Sequence, residues 1–369
     1  MECVHFGECG SCRHYEKGYA SQLEVKAARI KEQFSSYYKG DVELFTSEHE
    51  HYRARAEFKI WHVGDTMHYA MNALTHKGVV LIEDCPMVVM PIAELMPKLL
   101  AAIQEHNIGH KLFGADFLSS QNGEVVVSLL YHKKLDEAWN EQARAIASTL
   151  HISIIGRSRK QKVVIGEDFV VETLRVNERT YRFKQIENSF TQPNAKVNEK
   201  MLSWALRQLE NQQGDLLELY CGAGNFTIPL VSRFRKVLAT EISKSSIRAA
   251  QENMTLNGVE NIAFVRMSAE EFIHAVEGVR EFRRMKAIEM GTYNFETLFV
   301  DPPRSGMDEN TCNFASRFKS ILYISCNPQT LLVDLQRLGS DYRVESMALF
   351  DQFPYTDHIE MGVLLRRSS

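Results

Sequence analysis

The spacing of apolar positions divides the chain into an irregular start, a β-rich first half and a regularly alternating second half. Leu23, Ala27, Ile30 and Phe34 fall on one helical face, which predicts an amphipathic helix over 19–34. From 42 to 82 the pattern is β-like. Within it, Arg53 to Trp61 alternates charged and apolar residues, as a half-buried strand with a basic outer face does. A helix is predicted over 93–106, and strands over 113–118 and 125–131.

Near residue 186 the character changes. Phe190-Thr191-Gln192-Pro193-Asn194 is a polar, proline-broken entry into a helix over 197–209, and a domain boundary is placed between 185 and 186. Strands then read at 215–220, 236–241, 262–266, 297–300, 320–325, 343–350 and 360–365, mostly with helices between them. One of these helices, over 245–257, is stopped by Gly258, and Ser268 to Glu271 has capping-box spacing. Such alternation builds a parallel sheet with helices on both faces. No helical stretch separates the last two strands, so they are expected to close the sheet as an antiparallel hairpin.

At 369 residues the chain has room for two domains, and 44% hydrophobic with 24% charged residues is ordinary for a soluble globular protein. No apolar run is long enough to span a membrane and no signal peptide opens the chain, so a cytoplasmic protein without a membrane partner is expected. The net charge of −4 exerts no global pull on nucleic acid, so an RNA site has to be a local patch. Arg157, Arg159, Lys160 and Lys162 form the densest basic run. Arg53, Arg55 and Lys59 beside Tyr52, Phe58 and Trp61 make a second candidate, suited to phosphates and stacked bases or simply to solvent.

The seven cysteines do not suggest a disulfide framework. Cys3, Cys9 and Cys12 stand in a C-x5-C-x2-C pattern, and Cys85 precedes a proline far downstream. Such a set suits four-thiolate ligation of an iron–sulfur cluster or zinc, and equally suits free thiols near a frayed terminus.

The sharpest chemistry lies later. Ile321 to Ser325 is a buried apolar strand that stops at Cys326, and Asn327-Pro328 can cap and begin a helix. A cysteine there sits where ligands bind in an open α/β sheet, and a helix N-terminus favours its thiolate. Upstream, Glu218-Leu219-Tyr220-Cys221-Gly222-Ala223-Gly224-Asn225 follows a strand, and Glu241 ends the next one. Two glycines let a ligand approach the backbone, the missing third disfavours a dinucleotide, and a carboxylate at that spacing takes ribose hydroxyls. S-adenosylmethionine fits this pattern. Asp301-Pro302-Pro303-Arg304 holds a carboxylate at the sheet edge, and Arg304 in place of an aromatic argues against methylation of an exocyclic amine. Glu360 heads the final strand. A cysteine, a carboxylate base and a methyl donor at one edge suit methylation of uracil at C5. Thiolate addition at C6 makes C5 nucleophilic, and a base then removes the C5 proton.

These stretches, with Ser325-Cys326-Asn327-Pro328, His358-Ile359-Glu360 and Phe190 to Asn194, resemble the RNA uridine-5-methyltransferase family. The resemblance implies an α/β fold: a class I S-adenosylmethionine-dependent methyltransferase (Rossmann-like) domain over 186–369, preceded by an α+β RNA-binding domain over 1–185 with a Cys-rich start. It implies Cys326 as nucleophile and Glu360 as base, with Gln192, Tyr220, Asn225, Glu241 and Asp301 around S-adenosylmethionine. Tyr52 to Phe58, Leu130 to Asp136, Glu187 to Asn194 and Phe350 to Thr356 resemble the branch of the family that acts on tRNA. That branch implies the tRNA T arm and tmRNA as partners, with no DNA, and places Phe113 in an RNA-facing segment. Cys3, Cys9, Cys12 and Cys85 instead resemble the [4Fe-4S] signature of the ribosomal-RNA branch. This keeps a 23S rRNA substrate open, and an RNA-folding role stands as a further alternative.

Overall fold

Alternating strands and helices in the second half assemble into an eight-stranded sheet in the computed structural model, which describes residues 1–368. Across the sheet the strands run Glu43–Phe45, Tyr342–Phe350, Glu360–Arg367, Ser320–Ser325, Phe295–Val300, Asp215–Leu219, Val237–Glu241 and Ile262–Arg266. All are parallel except Glu360–Arg367, which inserts antiparallel between Ser320–Ser325 and Tyr342–Phe350. The expected terminal hairpin therefore forms, but its last strand lies inside the sheet.

Buried apolar residues cover both sheet faces. On one, Ile30 and Phe34 pack with Leu217, Leu298, Phe272, Phe314 and Leu331. On the other, Trp204, Met201 and Leu206 of the helix Ala195–Gln208 pack with Phe299, Leu322 and Phe350. The double coverage explains why the central strands read as continuous apolar runs.

A second sheet of seven strands occupies much of the first half, in the order Val79–Ile82, Thr66–Asn72, Arg55–Val63, Leu112–Ser119, Val125–Tyr131, Ser153–Ser158 and Gln161–Ile165. Ala56, Phe58 and Ile60 point inward, as the alternation predicts, and meet Leu99 of Met90–Glu105 and Trp139 of Glu137–Leu150. The latter helix was not predicted. Its signals are Asp136, whose side chain accepts from Trp139 N at 2.9 Å, and the inward spacing of Trp139, Ala143, Ile146 and Ala147.

The two bodies do not part at residue 185 alone. The helix Gly18–Gln33 and the strand Glu43–Phe45 come early in the chain, yet they pack on and pair with the larger sheet. The unpredicted hairpin of Phe169–Val176 and Arg179–Ile186 buries Leu174 and Phe183 against that body as well. Such long-range partners leave no periodic mark near the segments they recruit.

One buried ion pair ties the first helix to the sheet. Lys26 Nζ donates to Asp351 at 2.6 Å and to the Phe353 carbonyl at 3.1 Å, with the two side chains 4% and 0% exposed. Burial pulls the Lys26 ammonium below its usual pKa, and Asp351 opposes that pull. Removing the lysine strands a buried carboxylate. Lys26→Ala is expected to lower unfolding stability in denaturant titrations by about 3–5 kcal/mol. Lys26→Met with Asp351→Leu should recover most of the loss; a double variant as unstable as the single one would contradict this.

Candidate functional site

The carboxyl edge of the large sheet opens into a cavity of about 1430 Å³. Gln192, Tyr220, Asn225, Glu241, Asp301, Cys326 and Glu360 all line it, so the fold brings together every residue expected around donor and nucleophile.

On the donor side the chain leaves Asp215–Leu219 through a left-handed turn, with φ of 65° at Tyr220 and 55° at Gly222. At Gly222 this backbone conformation, rather than lack of space, calls for glycine. The turn carries the Gly222 amide to Glu241 Oε2 at 3.2 Å, while the Ser243 amide reaches Oε1 at 2.7 Å. Both oxygens keep lone pairs for two hydroxyls. Asn225 and Asn198 exchange side-chain amide hydrogen bonds of 2.8 and 3.0 Å, and Gln192 accepts from Gln352 at 3.2 Å.

Glu218 was missed as a site residue, although an acid inside the apolar strand Asp215–Leu219 is itself a signal. It is buried, its Oε2 has no partner, and burial pushes its carboxyl up to about 8. An unpartnered buried acceptor beside a glycine turn and a ribose-type carboxylate fits S-adenosylmethionine, which carries an ammonium as well as two ribose hydroxyls.

On the reaction side, Cys326 follows Ser320–Ser325 and precedes the helix Pro328–Leu338, whose Gln329 amide is capped by Asn327 Oδ1 at 3.2 Å. Asn327 Nδ2 also donates to the Arg304 carbonyl at 2.9 Å, and Thr330 Oγ1 donates to the same carbonyl at 3.3 Å. The cysteine loop thereby holds the loop after Asp301-Pro302-Pro303. Antiparallel pairing of Ser325 with Met361 puts Glu360 beside Cys326.

The sequence suggested a thiolate favoured by the helix end. The structure corrects this: burial, then Glu360 and Asp301, push the Cys326 thiol up to about 11, against the pull of Arg304. Burial raises Asp301 to about 7. Burial and then Asp301 drive the Glu360 carboxyl well above the ordinary range, with Arg304 opposing. A carboxylate so destabilised is a stronger base than one in water.

The basic candidates fare unevenly. Arg157 pairs with Glu187, and Lys162 lies 2.6 Å from Asp168 and 3.3 Å from Glu187, so two charges of the densest basic run are spent internally. Arg159 and Lys160 remain exposed. Arg55 donates to the Glu187 and Ser189 carbonyls and anchors the junction, whereas Arg53 lines the cavity with its guanidinium 5.7 Å from the Phe353 ring centre. Phe113 is 39% exposed and stacks on His132 with centroids 4.0 Å apart, and Phe190 is 78% exposed at the cavity mouth.

Cys3, Cys9, Cys12 and Cys85 line another part of the cavity wall, and all are free thiols. Among the described residues, no three His, Cys, Asp or Glu side chains are placed to hold a single metal ion. Nor is any described helix long and apolar enough to cross a membrane.

The fold, a mostly parallel sheet covered by helices on both faces with its cavity at the carboxyl edge, is that of a class I methyltransferase. Residues 18–368 match the profile of the family described as tRNA (Uracil-5-)-methyltransferase, and the chain belongs to that family. It is 60% identical over 366 residues, 99% of both chains, to the tRNA/tmRNA (uracil-C(5))-methyltransferase of Sulfurimonas denitrificans. It is 50% identical over 351 residues, 95% of this chain and 97% of the other, to the protein of the same name from Pseudomonas entomophila. Among solved structures it is similar to Pyrococcus abyssi tRNA (uracil-54, C5)-methyltransferase in complex with S-adenosyl-L-homocysteine. The TM-score is 0.72 at 23% identity, covering 94% of this chain and 83% of that one. Membership of that family makes the chain a tRNA (uracil-5-)-methyltransferase.

The raised thiol gives a direct test. Alkylation of Cys326 by iodoacetamide, followed peptide by peptide, should accelerate about tenfold per pH unit between about pH 7 and pH 9, because only the thiolate reacts. Arg304→Ala should slow it at every pH by removing the cation that favours the thiolate. A plateau beginning near neutrality would show a thiolate already formed.

Proposed function

We propose that this chain methylates C5 of a uridine in the T loop of tRNA, and of the tRNA-like part of tmRNA, in the cytoplasm. Cys326 acts as nucleophile and Glu360 as base. The observation that carries the roles is the strand register: an antiparallel strand brings Glu360 to the end of the strand that delivers Cys326. Both line one cavity with the glycine turn and Glu241. The names of the relatives support tRNA and tmRNA over 23S rRNA.

S-adenosylmethionine supplies an electrophilic methyl group. The Cys326 thiol gives up its proton to solvent, and Sγ bonds to C6 of the uracil, which moves the C5–C6 π electrons toward C5 and the O4 carbonyl. C5 can then take the methyl. Glu360 removes the C5 proton, and the released electron pair restores the C5–C6 double bond and expels the Cys326 thiolate. Arg304 lowers the cost of negative charge on both Cys326 and Glu360. Gln192, Tyr220, Asn225, Glu241 and Asp301 bind the donor, with Asp301 also close to the uracil.

The seven-stranded sheet and its two helices serve as the RNA-recognition body. Phe113 and His132 present a ready stacking surface for a base that has left its loop, and Arg53 meets the backbone near the cavity.

Cys326→Ala should abolish methylation and covalent RNA adducts while RNA binding persists. Glu360→Gln should accumulate a covalent RNA complex on denaturing gels, because the C5 proton has no acceptor. Normal turnover in either variant would remove that residue from the mechanism. With labelled donor, an isolated T-arm hairpin should accept methyl and a 23S rRNA fragment should not. Labelling confined to the rRNA fragment would overturn the substrate assignment.

A further inference from the structure

The helix Pro328–Leu338 starts two residues after Cys326, and one of its sides is turned to a neighbouring loop. Asn327 at its cap, then Thr330, Asp334 and Arg337, recur at spacings of three and four, which lines them up along that side. All four reach the stretch from Arg304 to Met307. Asn327 Nδ2 and Thr330 Oγ1 hold the Arg304 carbonyl. The Met307 amide donates to Asp334 Oδ2 at 2.9 Å. Arg337 Nη1 donates to the Met307 carbonyl at 3.0 Å and to Asp334 Oδ1 at 3.3 Å.

Asp334 is the centre of this contact. It is 1% exposed and lies outside the cavity lining. Besides the Met307 amide, its Oδ2 accepts from the hydroxyl of Tyr323 at 2.7 Å, and Cys312 Sγ lies 3.7 Å from Oδ1. Tyr323 is buried in Ser320–Ser325, the strand that delivers Cys326, and Cys312 belongs to the helix Glu309–Ala315 that follows the Arg304 loop. A carboxylate is costly to bury unless hydrogen bonds satisfy it. Here those bonds join the strand before Cys326, the helix after it and the loop that carries Arg304.

The loop needs such an anchor. Pro303, Arg304 and Ser305 are exposed, whereas Gly306 and Met307 are buried. A long side chain on a free loop spreads its charge through water, so its effect on buried neighbours depends on where its backbone is held. Gly306 marks how closely the loop seats: its φ is 75°, and a Cβ there would lie 2.7 Å from Asp334 Oδ2 and 3.1 Å from Thr330 Cβ. We propose that Asp334 is a positioning residue for the reaction: buried outside the cavity, it locks the Arg304 loop to the strand and the helix on either side of Cys326. Asp334 acts through Arg304. The proposal rests on the reading of Cys326 as nucleophile and of Arg304 as the cation that offsets the nearby carboxyls of Glu360 and Asp301.

The test compares two alkylating reagents on Cys326 of the full chain, without RNA or donor. Iodoacetate is an anion and iodoacetamide is neutral. The ratio of their rates cancels the ionisation of the thiol and access to it, and reports the positive charge held beside the sulfur. Arg304→Ala should lower that ratio about two- to fivefold. Asp334→Ala should lower it by a similar factor, whereas Asp334→Asn, which keeps an acceptor for the Met307 amide, should leave it near the native value. Arg304→Ala combined with Asp334→Ala should lie no lower than Arg304→Ala alone. A native ratio in folded Asp334→Ala, or a further fall in the double variant, would overturn the proposal, as would a native ratio in Arg304→Ala. Should Asp334→Ala not fold, Gly306→Ala carries the comparison, because its Cβ forces the loop off Asp334; an unchanged ratio there is equally fatal. No methylation is measured, so failure here is distinct from failure of the nucleophile assignment, which Cys326→Ala reads.

Discussion

The antiparallel insertion of Glu360–Arg367 is the constraint on which the reaction centre depends. Parallel strands deliver their carboxyl ends to one edge of a sheet, where helix N-termini and ligands gather. Asp301 and Cys326 arrive that way, after Phe295–Val300 and Ser320–Ser325. A strand running in the opposite sense delivers its beginning to the same edge, and here it begins with Glu360. Its pairing on both sides, with Ser325 opposite Met361 and Phe350 opposite Glu360, fixes the register. A slip of one residue would turn Glu360 to the other face of the sheet.

Closeness has an electrostatic consequence. Two buried acids, Glu218 and Glu360, and the half-buried Asp301 share one cavity with a thiol, and each is pushed toward its neutral form. Arg304 counters this at both Cys326 and Glu360, and its backbone is tethered by the loop that carries Cys326. A free enzyme with a largely protonated cysteine is protected from oxidation and stray alkylation. Arginine where amine methyltransferases carry an aromatic residue thus has a local reason: it offsets the cost of negative charge on Cys326 and Glu360.

Much of this arrangement was legible in the sequence because the relevant signals are local. Strand ends, glycine turns and caps mark the carboxyl edge wherever they occur, and every expected donor and nucleophile residue reached the cavity. What stayed hidden depends on partners far along the chain. Glu43–Phe45 has three residues and pairs with Ala348 to Phe350, and nothing in so short a stretch announces its partner. The inward face of Gly18–Gln33 was readable, but not the sheet it covers. The thiol's ionisation was misread for a similar reason, since the capping helix is adjacent in sequence and the two acids are not.

The same distinction governs the basic residues. Charge counted along the sequence made 157–162 the strongest polyanion candidate, but Glu187 and Asp168 fold back on it. Arg53 and Arg304 are sparser in sequence and yet both line the cavity. For a protein of net charge −4, this leaves a few cations beside the cavity rather than one dense basic run. Phe113 stacked on His132 adds an exposed aromatic surface on the smaller sheet, the kind of surface on which unstacked bases settle.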